Sequence, residues 1–202
     1  MKDTYKTITT PSPEVLFKDR NSKFYGYAFP IQDESQVKEY IDVLKKQHHQ
    51  ARHWCYAWVL GKSYERYRAN DDGEPSNSAG APIHGQLQAY DLTNTLIVVV
   101  RYFGGTKLGV GGLINAYRTA AQQALEAAVI EEKTIDIEFT IIFDYPLMNK
   151  VMRVIKEQNI KIIGQQSAMA CEYTLAIRQK DFERVSVLVK NIYGVKFKES
   201  DD

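Results

Sequence analysis

Residues 96–100 (LIVVV) form an uninterrupted apolar run that ends at Arg101 and precedes a glycine-rich segment. A continuous β-branched run is typical of a strand that is buried on both faces. An alanine-rich helix is predicted to begin near Leu113, and its small side chains permit close packing against a sheet. The strand and the helix therefore predict the core of a first domain.

A charged break, Glu131-Glu132-Lys133, divides the chain. Before it, residues 61–82 hold most of the Gly, Asn, Asp, Ser and Pro of this half and are predicted to form one long loop. Beyond the break the pattern restarts as strand, helix, strand, strand, helix and strand, which is the split, ferredoxin-like order. We therefore predict an α+β protein of two domains, residues 1–132 and 133–202.

Composition excludes several classes of protein. The formal net charge of +1 provides no global field for coating nucleic acid or an anionic membrane, so any such binding must come from a local patch. The two cysteines, Cys55 and Cys171, lie far apart and lack metal-site or disulfide-framework spacing, which favours a reducing compartment. No apolar run is long enough to span a bilayer. We expect a cytoplasmic protein with no membrane partner.

Three carboxylates crowd into four residues of the long loop: Asp71, Asp72 and Glu74. Such a cluster can hold a divalent cation or clamp basic groups, although the spacing of a calcium loop is absent. The alternative is that these residues cap turns, because Asp, Gly and Pro are ordinary turn residues. The sequence leaves both interpretations open.

The strongest chemical signal is the segment FGGTKLGVGG between the buried strand and the following helix. Free N–H groups and the helix dipole at such a position favour anions, and Arg101 and Lys107 add positive charge. Tyr102 and Phe103 are predicted to stack on bases while the cations meet phosphates, as on single-stranded nucleic-acid surfaces. The spacing matches neither a P-loop nor G-x-G-x-x-G, so ATP or NAD binding is not supported. The alternative is steric, with glycines serving turns and close packing.

Histidines provide weaker signals. His53 and Cys55 alternate on a predicted strand and so share a face, and a Cys/His pair can act as nucleophile and base. This spacing alone is insufficient, and a packed core face is the favoured interpretation. His48 and His49 are interpreted as solvated residues at a helix end.

Three segments together resemble the IMPACT family, whose bacterial members include YigZ: ARHWCYA (residues 51–57), DDGEPSNSAGAP (71–82) and VVRYFGGTKLGVGGLINAY (99–117). The resemblance implies a bacterial protein whose first domain has the ribosomal protein S5 domain 2-like fold. It also implies a ferredoxin-like second domain similar to domain V of elongation factor G. Eukaryotic relatives regulate translation, which implies RNA, the ribosome or a translation-related protein as partner.

Two segments depart from the family pattern. Asn77-Ser78 stands where Gly-Thr is common, and Asn115 stands where Arg is common, which removes one potential phosphate contact. The leading hypothesis is a non-enzymatic protein that binds RNA or the translation machinery. The rivals are an enzyme using the Asp71, Asp72, Glu74, Arg101 and Lys107 cleft, and a protein-interaction module.

The residues expected to bind nucleic acid or an anion are Arg101, Tyr102, Lys107, Gly104, Gly105, Gly109, Gly111, Gly112, Ser76 and Ser78. No catalytic residue, metal ligand, cofactor or DNA-specific motif is assigned.

Overall fold

The computed structural model describes residues 3–199. This part of the chain forms two compact units, one of residues 5–133 and one of residues 3–4 with 134–199. Both units combine helices with sheets, so the expectation of a mixed α/β protein in two parts is confirmed.

The elements up to the end of the first unit are these: β1 (Thr4–Ile8), β2 (Val15–Asp19), β3 (Ser22–Pro30), α1 (Glu34–Gln47), β4 (His53–Leu60), β5 (Arg66–Asn70), α2 (Gly80–Ala89), β6 (Thr95–Tyr102), α3 (Gly109–Glu126) and β7 (Ile130–Thr134). β1 and β7 form a two-stranded sheet, while the other five strands form a sheet in the order β2-β3-β6-β4-β5.

β6 occupies the centre of the five-stranded sheet and pairs antiparallel with both β3 and β4. Every residue of β6 except Tyr102 is buried. The predicted central, doubly buried strand is therefore confirmed, because its β-branched side chains fill a core on each face of the sheet.

Successive side chains of β6 point to opposite faces, each covered by different helices. Ile97 and Val99 pack in one core with α2 and α3. Val98 and Val100 pack in the other core with α1. The alanines of α3 have no solvent exposure and allow that helix to approach the sheet closely.

The second unit contains β8 (Asp136–Phe143), a short 3-10 helix (Tyr145–Leu147), α4 (Met148–Glu157), β9 (Lys161–Ser167), β10 (Cys171–Arg178), α5 (Gln179–Lys190) and β11 (Lys196–Glu199). Its strands form an antiparallel sheet in the order β11-β8-β10-β9. Phe139, Leu175 and Val185 are fully buried in its core. The predicted β-α-β-β-α-β order is observed.

Two predicted boundaries are wrong. Residues 61–82 include β5 and the start of α2, because polar β5 gains its stability from backbone pairing with β4 and not from an apolar pattern. α3 begins at Gly109 and not near Leu113, because glycines are tolerated in a first turn. Across residues 3–199, no helix combines the length and apolar character needed to cross a membrane.

Candidate functional site

A buried polar network joins three segments of the first unit: the acidic loop (residues 71–78), the end of β6 and α3. Glu74 lies at its centre, and its Oε1 accepts hydrogen bonds from Arg101 Nη1 at 2.6 Å and from the Tyr117 hydroxyl at 2.7 Å. The side chains of Arg101 and Glu74 are only 7% and 4% exposed. The network therefore holds a buried ion pair with a hydroxyl donor on the same oxygen.

The network continues to Cys55 on β4, whose Sγ lies 3.3 Å from the Tyr117 hydroxyl oxygen and 3.0 Å from the Asp71 carbonyl oxygen. Burial raises the pKa of the Cys55 thiol and of the Tyr117 phenol, so both groups stay protonated at neutral pH. A nucleophilic cysteine needs a depressed pKa. Cys55 therefore acts as a packed, hydrogen-bonded residue of the core.

Asp71 organises the acidic loop and the start of α2. Its Oδ1 accepts hydrogen bonds from the backbone N–H groups of Ala79 (2.9 Å) and Gly80 (2.8 Å), and its Oδ2 accepts one from Asn77 (2.9 Å). The residue that precedes α2, Ala79, has no capping side chain of its own. Asp71 therefore caps this helix from a distance in sequence.

Asp72 fastens the loop to β4 instead. Its Oδ2 accepts a hydrogen bond from the backbone N–H of Trp54 at 2.7 Å, and its carbonyl oxygen lies 2.9 Å from His53 Nδ1. The carboxylates of Asp71, Asp72 and Glu74 thus accept hydrogen bonds from different donors of the protein. Across residues 3–199, no group of three or more His, Cys, Asp or Glu side chains is arranged to hold a metal ion.

The two serines of the acidic loop differ in accessibility. Ser78 is fully buried and its hydroxyl donates to the carbonyl oxygen of Pro75 at 2.6 Å. The expectation that Ser78 contacts a ligand is therefore corrected: it closes a turn. Ser76 is exposed.

Arg101 and Tyr102 do not share a surface, because neighbouring side chains of a strand face opposite ways. Arg101 lies with Glu74, between the rings of Phe24 and Phe103 at 5.6 and 5.7 Å. Tyr102 lies on the α1 face, where its hydroxyl is 3.0 Å from His48 Nδ1. The expectation that Arg101 and Tyr102 jointly contact a nucleic acid is corrected, since one is buried in an ion pair and the other belongs to the opposite face.

The glycine loop (residues 103–112) carries the exposed part of the site. Gly105 and Gly109 have positive φ values of 86° and 73°, which favour glycine. Open space surrounds the Cβ positions of Gly105, Gly109 and Gly111. At Gly104 and Gly112 an added Cβ would instead lie close to protein atoms, 2.1 Å from the Asn21 backbone and 3.0 Å from Leu108 Cβ respectively. Only the first three glycines therefore leave room for a ligand.

Lys107 is exposed and lies two residues before the first residue of α3. The residue that precedes α3, Leu108, has no side chain able to cap the helix. Backbone N–H groups in the first turn of a helix have no intrahelical acceptor. This end of α3 thus combines uncapped donors, a helix dipole and one lysine.

Sequence reasoning did not identify Tyr117 or the burial of His48. Tyr117 follows Leu113 by four residues on the buried stripe of α3, and this spacing is the signal that would have placed its hydroxyl in the core. His48 is 6% exposed and its Nε2 lies 2.5 Å from the Tyr27 hydroxyl, so its interpretation as a solvated residue is wrong. No local sequence pattern predicts the contact between His48 and Tyr27.

The fold and the site define a two-unit α/β protein in which a buried ion-pair network supports an exposed glycine loop at a helix N-terminus. A family model for the Impact N-terminal domain matches residues 20–125. YvyE of Bacillus subtilis, an IMPACT family member, is 35% identical over 90% of this chain and 83% of its own length. The chain therefore belongs to the IMPACT family.

Two further comparisons agree with this membership. YigZ of Escherichia coli, also an IMPACT family member, is 35% identical over 74% of each chain. A crystal structure of a hypothetical protein aligns over 100% of both chains, with 25% identity and a TM-score of 0.73. The similarity thus includes both units of the chain.

Proposed function

We propose that this chain is a non-enzymatic cytoplasmic protein that binds RNA or an acidic surface of the translation machinery and thereby regulates translation. The observation that carries the proposal is the uncapped, exposed first turn of α3 with exposed Lys107 two residues before it. Unpaired N–H groups, the positive end of a helix dipole and an ammonium group all favour a phosphate or a carboxylate.

The predicted contact residues divide into two roles in this proposal. Lys107, Gly105, Gly109 and Gly111 contact the anion, because Lys107 is exposed and the glycines leave open space. Arg101 acts indirectly: its ion pair with Glu74 holds the acidic loop against the end of β6.

Membership of the IMPACT family supports the link to translation, because eukaryotic members of this family regulate translation. The state of the cysteines supports a reducing compartment: Cys55 and Cys171 are both free and buried. We attribute the regulation to binding and not to catalysis, because each carboxylate of the site already accepts a hydrogen bond from a donor of the protein.

The finer fold assignments belong to the same proposal. We assign residues 1–132 to a ribosomal protein S5 domain 2-like domain. We assign residues 133–202 to a ferredoxin-like domain similar to domain V of elongation factor G. The element order from β8 to β11 and the sheet order β11-β8-β10-β9 support the second assignment.

Co-sedimentation with ribosomes over a salt series tests the proposal. Lys107→Ala should weaken binding and reduce the slope of log K against log salt concentration by about 0.7–0.9, because one phosphate contact is lost. Lys62→Ala is the matched control: Lys62 is exposed and follows β4 at the opposite end of the five-stranded sheet. Absence of binding at low salt, or an equal effect of both variants, would contradict the proposal.

A protein-interaction module is the second candidate, favoured by two apolar side chains of the glycine loop. Phe103 and Val110 are 58% and 52% exposed. Exposed apolar side chains at a site mark protein contacts more often than phosphate contacts. Binding that survives Lys107→Ala and high salt but is lost in Phe103→Ser would favour this candidate.

A further inference from the structure

A groove lies on the α1 face of the five-stranded sheet, the face opposite to Arg101 and the glycine loop. α1 covers only part of this face and leaves a cavity of about 360 Å³ along β4 and β5. This volume falls within the range of small-molecule sites. The aromatic side chains that line it alternate along β4: Trp54, Tyr56 and Trp58. Trp54 and Tyr56 are only partly buried, so a flat ligand can reach them.

Trp54 contains an unsatisfied donor. Its indole Nε1 is buried and has no hydrogen-bond partner within residues 3–199. Buried polar groups in native proteins are almost always hydrogen-bonded, and an unpaired one requires an explanation. Trp54 lines the groove, and a ligand oxygen there would supply the missing acceptor once the indole ring turns so that Nε1 is accessible.

The charges that line the groove favour an anion once the existing pairs are taken into account. Glu34 is paired with Arg66, which lies outside the groove, at 3.2 Å. The Asp72 carboxylate accepts a hydrogen bond from the Trp54 backbone N–H, a neutral donor, and therefore keeps its negative charge.

Three cations lining the groove have no carboxylate partner within residues 3–199: Lys38, Lys45 and Arg68. The ammonium group of Lys45 lies 5.5 Å from the centre of the Trp54 ring. Two carboxylates that line the groove, Asp42 and Asp72, have no cationic partner within residues 3–199, so the cations exceed them by one. The groove thus offers positive charge directly beside an aromatic surface.

We propose that this groove binds a nucleotide unit, with the base against Trp54 and Tyr56 and the phosphate between Lys45 and Arg68. A ligand oxygen accepts the hydrogen bond from Trp54 Nε1. Base stacking on aromatic side chains combined with phosphate–cation contacts is the chemistry of single-stranded nucleic-acid surfaces and nucleotide sites. The unit belongs either to a free nucleotide or to a single-stranded RNA.

This site is independent of the glycine loop. Tyr102 and Val100 lie on the α1 face of β6, whereas Arg101 lies on the other. Loss of nucleotide binding at the groove and loss of ribosome binding at Lys107 are therefore separate outcomes.

Intrinsic fluorescence tests the proposal directly, because the chain contains two tryptophans and both line the groove. The probes are AMP, UMP, adenosine, inorganic phosphate and an RNA octamer, rA8. We expect saturable quenching by AMP at or below about 5 mM, with adenosine and phosphate each weaker by roughly ten-fold. Quenching by rA8 that AMP displaces identifies a shared site, and quenching by rA8 alone identifies the single strand as the source.

Single substitutions test each proposed contact with the nucleotide separately. Arg68→Ala and Lys45→Ala should each weaken AMP binding by roughly ten-fold, whereas the matched control Lys62→Ala should leave it unchanged. Trp54→Phe keeps an aromatic ring and removes the N–H, and calorimetry should show about a five-fold loss. Far-UV circular dichroism checks that each variant is folded.

Three results would overturn the proposal. One is the absence of quenching with both nucleotides and rA8. Another is equal binding of phosphate and AMP, because the base then contributes nothing. The third is an equal effect of Lys62→Ala and Arg68→Ala, because the charge change then acts without a local contact.

Discussion

Arg101→Met should strongly destabilise the first unit, because it removes one partner of a buried ion pair. Glu74 is 4% exposed and would keep only the Tyr117 hydroxyl as donor to its Oε1. Breaking a buried pair in this way costs about 3–5 kcal/mol, since the remaining charge is left without compensation. With a urea m-value of about 2 kcal/mol per molar, the unfolding midpoint should fall by about 1.5–2.5 M.

Urea unfolding followed by tryptophan fluorescence measures this change in the correct part of the chain, because both tryptophans, Trp54 and Trp58, lie within residues 5–133. Arg66→Met is the matched control. The Arg66–Glu34 pair is also a direct contact between a guanidinium and a carboxylate, at 3.2 Å, but its side chains are 58% and 52% exposed. Exposed pairs contribute about 0–1 kcal/mol, so the control should move the midpoint by less than about 0.5 M.

The double variant Arg101→Met/Glu74→Gln completes the test. Removing both charges leaves no uncompensated ion, so the double variant should be more stable than Arg101→Met by about 2 kcal/mol. A midpoint for Arg101→Met within 0.5 M of wild type (about 1 kcal/mol at this m-value) would show that the buried pair does not stabilise the first unit. A double variant that is less stable than the single one would show that the uncompensated charge is not what destabilises Arg101→Met.

The remaining predictions concern the acidic loop, the glycine loop and a buried histidine. Asp71→Ala should lower the free energy of unfolding by about 3 kcal/mol, since three backbone N–H groups lose a charged acceptor; equal urea midpoints for the variant and wild type would exclude the capping role. Gly104→Ala should destabilise the fold because its Cβ would lie 2.1 Å from the Asn21 backbone, whereas Gly111→Ala should leave thermal stability unchanged or slightly raised. Burial lowers the pKa of His48 below 6.5, so the unfolded chain binds the proton more readily and stability should fall as pH drops through 6.5. Urea midpoints at about pH 7.5 and 5.5 should show a smaller pH dependence in His48→Gln than in wild type, while the exposed neighbour His49→Gln should behave as wild type.

Much of the fold follows from patterns that are local in the chain. The uninterrupted β-branched run identifies β6 as a central strand, and the alanine stripe identifies α3 as a core helix. The restart of the pattern after residue 133 predicts the β-α-β-β-α-β order of the second unit. Apolar residues recur every two positions in a strand and every 3.6 in a helix, so these elements can be predicted without a structure. β5 was not predicted from the sequence because its five residues are almost all exposed. It is a strand because its backbone pairs with β4.

Composition and residue spacing alone identify the two segments that carry polar and glycine-rich chemistry: the acidic loop and the glycine loop. The role of each side chain in these loops depends on contacts with residues that are distant in the chain. Arg101 meets Glu74 across 27 positions of the chain, and Cys55 meets Tyr117 across 62. The alternation along β6 that places Arg101 and Tyr102 on opposite faces can be predicted from the sequence. Which helix covers each face cannot. Contacts between distant residues depend on how sheets and helices assemble, and no local periodicity records which buried charge will find which partner.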